Sequence, residues 1–449
     1  MACAPACGTK RVFAAPPPAA DTAATLGSPA DAAAITMPPP EPSAVQHDAV
    51  QRPPLARAVI AFVFLMVTEF FYSWAWNSVD VLRPFMRDTL KLTLTQAGSG
   101  YSAQGAGALV GAVVIGQLAD RVGRRTMLAL VMIGYGTTLI AGSFVDGYST
   151  YLAQRVVLGL FMGGIFPIVV GIYVGLFSPT VRGRLASLIN AIFSSGITVL
   201  GLASGWANGD WRALLLAGGL PPILLAGLAF VLIPKSADVR AQGPQKPARL
   251  PVLELFAPDL RTRTILLASL TGLNFFGYQA YSGWLSTYLR DVRGLDPTAM
   301  GKLVAWQFGA NIVGGFVWGW AGDRFGRRFN AIGFLAAAAA ILLYLNVETD
   351  AMMLGSIGVV YGFMLSASVI WGPWLTELYP AHLKSTAASI FNWGRLVSFF
   401  APLVTGSLAA QFGLGVTMGT AAVAFTIAAL IWLSLPETHP HPLLRGRRR

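Results

Sequence analysis

Charged side chains are scarce in this sequence. Lys, Arg, Asp and Glu make up 12% of the 449 residues, whereas hydrophobic residues make up 55% and the mean hydropathy is +0.60. A soluble globular protein carries roughly 25% charged residues, so the polar side chains are too few to cover a water-facing surface. The composition therefore excludes a large soluble domain. The formal net charge of +12 does not indicate nucleic-acid binding, because the basic residues lie in short clusters between apolar runs.

Cysteine and histidine are also rare. The two cysteines, Cys3 and Cys7, lie near the N-terminus and cannot crosslink the apolar body, and the four histidines lie in tails or a loop. The sequence shows no metal-ligand cluster, no enzyme-like constellation and no GxxxxGK(S/T) phosphate loop. We therefore expect no structural disulfide, no metal, no cofactor and no enzymatic activity, and an ion gradient rather than ATP as the energy source.

Long apolar runs dominate what is present. A helix needs about 20 residues to cross the hydrocarbon core of a bilayer, and the chain offers twelve candidate spans. They predict an all-α membrane protein. The spans are 56–82, 96–119, 126–145, 150–176, 185–206, 213–233, 264–289, 299–321, 329–346, 352–375, 385–410 and 415–435.

The distribution of Lys and Arg between the spans predicts the orientation. With the N-terminus inside, the cytoplasmic connections and C-terminal tail hold nineteen Lys and Arg residues, and the opposite side holds seven. Basic residues accumulate on the cytoplasmic side of membrane proteins. We therefore expect both termini in the cytoplasm and the chain in the inner (plasma) membrane.

Composition shifts predict the domain boundaries. Residues 1–52, rich in Ala and Pro, read as a disordered cytoplasmic tail, and 437–449 as a basic cytoplasmic tail. The basic, Pro-containing segment 234–263 falls midway along the chain and reads as a cytoplasmic linker. It separates two predicted six-helix bundles, 53–233 and 264–436.

A charged loop occurs twice. GQLADRVGRR (Gly116–Arg125) returns 203 residues later as GWAGDRFGRR (Gly319–Arg328), with six of ten positions identical and an apolar run before each copy. Gly159 and Gly362 are also 203 residues apart. A duplicated loop in a hydrophobic chain indicates two homologous membrane halves, the architecture of secondary transporters with parallel repeats.

These motifs resemble the major facilitator superfamily over about residues 53–438. Both loop copies match the family's signature loop, and RVVLGLFMGG (Arg155–Gly164) resembles its helix 4 motif. TELYPAHLKSTAASIFNWGR (Thr376–Arg395) is similar to metabolite:proton and aromatic-acid:proton symporters, and Pro436–Thr438 to the end of sugar-porter-type chains. The resemblance implies twelve transmembrane helices in two pseudo-symmetric six-helix bundles.

The signature loops supply candidate gating residues. Carboxylates at a helix end can pair with loop arginines or cap a neighbouring helix, and such contacts can form in one arrangement of the halves and break in the other. The alternative is purely topological, since arginine-rich loops also hold the orientation. The candidates are Asp120, Arg121, Arg124, Asp323, Arg324, Arg327 and Glu377.

Few ionisable residues lie inside the predicted spans. A charge near the bilayer centre costs about 2.5–3.5 kcal/mol on insertion scales, so it usually has a partner or a role. Glu69 is the best candidate proton carrier and Asp80 the second, although Asp80 lies nearer the outer surface and can face water or Arg83. Arg395 can clamp an anion bidentately, but it can also form a fixed structural pair, as can Glu69 with Arg155 or Arg395.

Polar and aromatic residues at helical spacing supply candidate substrate contacts. By the resemblance, helices 1, 4, 7 and 10 line a central cavity, while aromatics near span ends are otherwise interfacial anchors. The candidates are Tyr72, Trp76, Arg155, Asn274, Tyr278, Tyr281, Gln307, Asn311, Asn392 and Arg395.

Together these features favour a proton-coupled symporter for a small organic anion, acting as a monomer in the lipid bilayer by alternating access. A sugar:proton symporter is the nearest alternative. A solute receptor with a transporter-like fold is an alternative from another class.

Overall fold

The computed structural model describes residues 53–438 apart from 178, 236–250, 349, 381–382, 384–385 and 388. The predicted tail 1–52, residues 236–250 of the predicted linker 234–263, and residues 439–449 lie outside this part. The described residues fold into helices joined by short turns, with no strand among them. The all-α prediction is therefore confirmed.

The helices are numbered here in chain order. They are α1 Leu55–Val81, α2 Arg83–Leu90, α3 Leu94–Val122, α4 Arg124–Gly142, α5 Tyr148–Gly163, α6 Ile165–Leu176, α7 Pro179–Trp206, α8 Trp211–Ala226, α9 Ala229–Leu232, α10 Pro251–Glu254, α11 Arg261–Tyr281, α12 Leu285–Asp291, α13 Pro297–Phe325, α14 Ala331–Asn346, α15 Ala351–Leu365, α16 Trp371–Glu377, α17 Ile390–Phe412 and α18 Leu414–Ser434. Two 3-10 segments, Arg327–Asn330 and Ser366–Ile370, precede α14 and α16.

Each predicted span coincides with one of these helices or with a run of consecutive ones. Among the described residues, eight helical stretches are long and apolar enough to cross a membrane. Other predicted spans are interrupted, as at Ser282–Trp284, or shorter, as in α8. These stretches indicate a multi-pass membrane protein, and the count of twelve spans stays a prediction.

Local sequence sets several helix ends. The Thr93 hydroxyl accepts a hydrogen bond from Gln96 N, and Gln96 in turn accepts one from Thr93 N, which satisfies the first free amides of α3. Gly123 and Gly326 separate α3 from α4 and α13 from the 3-10 segment, with φ of 107° and 104°. Only glycine adopts such values at low cost, so each signature loop turns at a position that favours glycine over every other residue.

The 203-residue repeat is visible in the packing. A Cβ added at Gly159 of α5 would lie 1.9 Å from the Gln104 carbonyl oxygen of α3. At Gly362 of α15 it would lie 1.9 Å from the Gln307 carbonyl oxygen of α13. Residues 104 and 307 are themselves 203 positions apart. The same close helix approach, which only glycine permits, therefore occurs in each half.

Replacing Gly362 with alanine is expected to destabilise the protein by about 1–3 kcal/mol, because the α13 and α15 backbones must separate. The matched control is Gly315→Ala, since a Cβ at Gly315 meets nothing within 4 Å. Thermal unfolding of the detergent-purified variants gives the comparison. Equal melting temperatures for the two variants would show that the close approach is not required.

Helices before and after the segment 236–250, called here the first and second halves, meet along two seams. In one, α7 packs on α13, where Ser194 Oγ donates to Asn311 Oδ1 at 3.1 Å. In the other, α3 packs on α17, and a Cβ at Gly98 would lie 2.3 Å from the Pro402 carbonyl oxygen. These seams set the positions of α1 and α17, which carry the charged residues of the site.

Candidate functional site

A buried carboxylate of the first half lies near an arginine of the second. Glu69 on α1 is 2% exposed, and its Oε2 atom is buried without a hydrogen bond. The Arg395 guanidinium on α17 lies within electrostatic range of Glu69 and of the Tyr72 hydroxyl. Glu69 and Arg395 form no ion pair of 4.0 Å or less in the described part of the chain. Arg395 can therefore attract Glu69 when its carboxyl group is ionised, while each side chain remains open to another partner.

Aromatic rings surround this charge pair. The Arg395 guanidinium lies 5.5 Å from the ring centre of Phe166 in α6 and 6.0 Å from that of Phe391. Tyr72 packs against Trp76 and Phe193, with ring centres 6.0 and 5.9 Å away. An aromatic face stabilises a nearby cation, so Phe166 of the first half and Phe391 of the second hold the guanidinium between the halves. The Asn392 side chain lies outside the described residues.

Trp76 continues the row of packed rings from Tyr72 to α17, and we call this row the aromatic wall. Its ring centre lies 6.1 Å from that of Tyr101 in α3 and 6.5 Å from that of Phe399. Tyr72 and Trp76 thus lie between Glu69 and the seam of α3 with α17. A planar, apolar ligand body suits such a wall, because aromatic rings supply large contact area.

Asp80 and Arg155 belong to a separate layer. Asp80 is buried and paired with Arg83, which is 1% exposed. Arg155 is fully buried, and its Nη1 donates to Ser78 Oγ at 3.0 Å and Gln104 Oε1 at 3.2 Å. Asp80 also interacts electrostatically with Arg155. Arg155 is therefore held by α1 and α3 near Asp80, whereas Arg395 is the arginine that reaches Glu69.

The other predicted contact residues divide between the interface and the core. Tyr278 lines a small void between the halves with Asn77 and Asp80. Tyr281 is fully buried against Tyr361 and Tyr344, with ring centres 4.4 and 5.7 Å away, inside the second half. This placement favours a packing role for Tyr281 over contact with a ligand.

Three predicted amides have different environments. Gln307 donates to Ser282 Oγ at 3.3 Å, and its Oε1 is buried without a partner. Asn311 spans the α7–α13 seam, since its Nδ2 donates to Gly362 O at 3.2 Å while its Oδ1 accepts from Ser194. Asn274 is buried with a free Oδ1. Asn274 and Gln307 retain hydrogen-bonding capacity, whereas Asn311 serves the contact between the halves.

The second signature loop forms a charge cluster at the opposite end of the bundle from α2 and α12. Arg327 pairs with Asp323 at 2.6 Å and with Glu377 at 2.8 Å. The carboxylate of Glu437 accepts from the backbone amides of Arg327 and Arg328 at 2.9 and 2.8 Å. The cluster therefore joins α13, α16 and the segment after α18, while Arg324 is exposed.

The first copy contacts α6. Arg124 donates to the Gly171 carbonyl oxygen of α6 at 2.9 Å, and Arg121 is exposed. The Asp120 side chain lies outside the described residues. The gating role of the loop residues stays a prediction.

The sequence does not indicate the roles of several buried residues around Asp80 and Arg155. Arg83 lies just beyond the predicted span, so the sequence indicates only a possible pairing with Asp80, although the side chain is almost fully buried. Gln104 and Ser78, which hold Arg155, carried no signal as single polar residues in apolar runs. A search for positions 203 residues apart points to Gln104, whose counterpart is Gln307.

Comparison with known proteins identifies the family. A family model described as Major Facilitator Superfamily matches residues 65–395 and 267–449. The chain belongs to this superfamily. Its fold is accordingly the major facilitator fold, and the protein is a membrane transporter of a small solute rather than an enzyme.

Major facilitator relatives and structures agree with this assignment. The chain is 26% identical to the cis,cis-muconate transport protein of Acinetobacter baylyi (81% of this chain, 90% of the relative) and 27% identical to the niacin transporter NiaP of the same organism (81% and 92%). It is 24% identical to the gallate transporter of Pseudomonas putida (81% and 89%). A crystal structure of a D-xylose-proton symporter matches with a TM-score of 0.70 at 16% identity, covering 85% of this chain and 98% of that one. This structural likeness shows the fold alone.

Proposed function

We propose that this protein is a proton-coupled symporter that takes up a small carboxylate-bearing metabolite across the inner (plasma) membrane by alternating access. Both termini face the cytoplasm, and the monomer is the functional unit. The observation that carries the proposal is the juxtaposition of Glu69 and Arg395 across the two halves without a direct ion pair.

Charge balance links the two residues to the transported species. Buried charges are costly unless they are compensated, and in the empty site Glu69 and Arg395 compensate each other at a distance. A substrate carboxylate that binds Arg395 leaves Glu69 as an excess negative charge. A proton on Glu69 removes that excess, so anion and proton bind favourably together. The loaded site carries the same net charge as the empty one, and both forms can change conformation.

The relatives support an acidic substrate. Several of them are named as transporters of organic or aromatic acids, including muconate, gallate, niacin and gentisate. The rings of Phe166 and Phe391 beside Arg395, together with the packed rings of Tyr72 and Trp76, suit a planar anion. A sugar contains no carboxylate and leaves Arg395 without an anionic ligand.

Ligand-dependent thermal stabilisation of the purified protein tests the substrate class. Aromatic and aliphatic carboxylates are compared with their neutral amides and with pentoses and hexoses. We expect acids to raise the melting temperature and amides to have little effect, because only the acid satisfies Arg395. Stabilisation by sugars and not by acids would favour the sugar:proton symporter. Counterflow in proteoliposomes separates either transporter from a receptor, which gives none.

A further inference from the structure

A second charged repeat lies at the end of the bundle that carries α2 and α12. Arg87-Asp88 recurs as Arg290-Asp291, and the two dipeptides are 203 residues apart, the same spacing as the signature loops. The first dipeptide lies near the end of α2 and the second ends α12. We call this the outer end, because the distribution of Lys and Arg predicts that it faces outside.

The two dipeptides bind each other reciprocally. Arg87 Nη1 lies 2.6 Å from Asp291 Oδ2, and Arg290 Nη2 lies 2.7 Å from Asp88 Oδ2. Each arginine therefore pairs with the aspartate of the other copy rather than with its own neighbour. Both ion pairs join the first half to the second. All four side chains are partly exposed, between 19% and 46%.

The layer beneath follows the same two-fold relation. Arg83 donates to the Gly283 carbonyl oxygen, and Ser286 Oγ donates to the Asp80 carbonyl oxygen at 2.6 Å. Positions 80 and 283 are 203 residues apart, as are 83 and 286. The repeat thus positions two successive layers of contacts between the halves, one buried and one exposed.

One arginine of each layer lies over an aromatic ring. The Arg290 guanidinium lies 4.6 Å from the ring centre of Phe85, and that of Arg83 lies 4.3 Å from the ring centre of Trp284. Arg290 and Arg83 therefore each stack on a ring of the opposite half. The stacking limits the conformational freedom of the guanidinium group before it forms its ion pair.

We propose that Arg87, Asp88, Arg290 and Asp291 form a charge clasp that closes the outer end and biases the empty protein toward this closed state. Partly exposed ion pairs are individually weak and are screened by salt. Weak pairs can separate in every transport cycle, whereas a continuous apolar contact of the same size resists separation more strongly. The clasp thus sets the equilibrium between closed and open outer ends, independently of which solute the central site binds.

Double electron–electron resonance measures the distance between two spin labels and tests the clasp in the detergent-purified protein without substrate. The labels are placed at Ser149→Cys and Gln411→Cys, exposed outer-end positions in the first and second halves, with Cys3 and Cys7 replaced by serine. In the labelled protein with an intact clasp, called the parent, we expect mainly the short distance of the closed outer end. The open outer end gives the long distance. Combined Arg87→Asp and Arg290→Asp should raise the ratio of long to short distances roughly tenfold, or about 1.4 kcal/mol.

Matched variants define the outcome. Lys302→Glu reverses an exposed outer-end charge that makes no ion pair with any described residue, and it should leave the ratio unchanged. Arg87→Asp combined with Asp291→Arg restores opposite charges and should return the ratio toward the parent value. If the double reversal does not fold, Arg87→Gln with Arg290→Gln is measured and should give a smaller rise. An unchanged ratio in the folded reversal or neutral variant, or no recovery in the exchanged pair, would overturn the proposal.

Discussion

Glu69→Gln is expected to abolish pH-gradient-driven accumulation of substrate in proteoliposomes. Glutamine keeps the shape of the side chain but cannot bind and release the coupled proton. A gradient of one pH unit is worth about 1.4 kcal/mol per proton and supports roughly tenfold accumulation. In the variant the internal concentration should stop at the external value. Counterflow, which needs no net proton movement, should persist.

The matched control is Glu348→Gln, which makes the same chemical change at an exposed position after α14. It should accumulate substrate as the unmodified protein does. Continued accumulation by Glu69→Gln would assign proton coupling to another group, and Asp80, the second candidate, would be examined next. Loss of both accumulation and counterflow would instead indicate a structural role for Glu69.

Arg395→Lys is expected to weaken carboxylate binding roughly tenfold or more while leaving the protein folded. Lysine retains the charge but loses the planar fork and its stacking on Phe166 and Phe391. A hydrogen bond to a charged group contributes about 1.5–3 kcal/mol, which sets the scale of the loss. Titration of the thermal shift or of tryptophan fluorescence with an acid and its amide gives both affinities.

The decisive quantity is the preference for acid over amide. The preference should fall in Arg395→Lys and stay unchanged in Arg261→Lys, an exposed arginine at the start of α11. An equal preference in Arg395→Lys and the unmodified protein would place Arg395 outside the binding site. The sugar:proton symporter would then become the better hypothesis.

The sequence predicted the helices well because membrane spans leave a strong signal. Each needs a long apolar run with all backbone groups bonded within the helix, and every predicted span coincides with helix. The two similar loops, which contain Gly123 and Gly326 at a spacing of 203 residues, predicted the two-fold repeat. Helix breaks such as Ser282–Trp284 were missed, because the apolar run continues through them.

The site was harder to predict because it depends on helix rotation and height. The sequence marks Glu69 and Asp80 as the two candidate proton carriers of one span, but the structure divides them between two layers, with Arg395 near the first and Arg83 beside the second. Arg155 and Arg395 were equal candidates for Glu69 from sequence, since both are arginines inside spans. Only the packing of α17 against α3 brings Arg395 to Glu69. The charge clasp becomes visible only when residues outside the signature loops are compared at the same spacing of 203 residues.

Simultaneous measurement of proton and substrate fluxes tests the central claim most directly. Purified protein is reconstituted into vesicles that contain a pH-sensitive dye, and a carboxylate identified by thermal shift is added outside under a clamped membrane potential. We predict that the vesicle interior acidifies as the substrate enters, and that the neutral amide causes no change. Carboxylate entry through the protein without internal acidification would contradict proton-coupled symport.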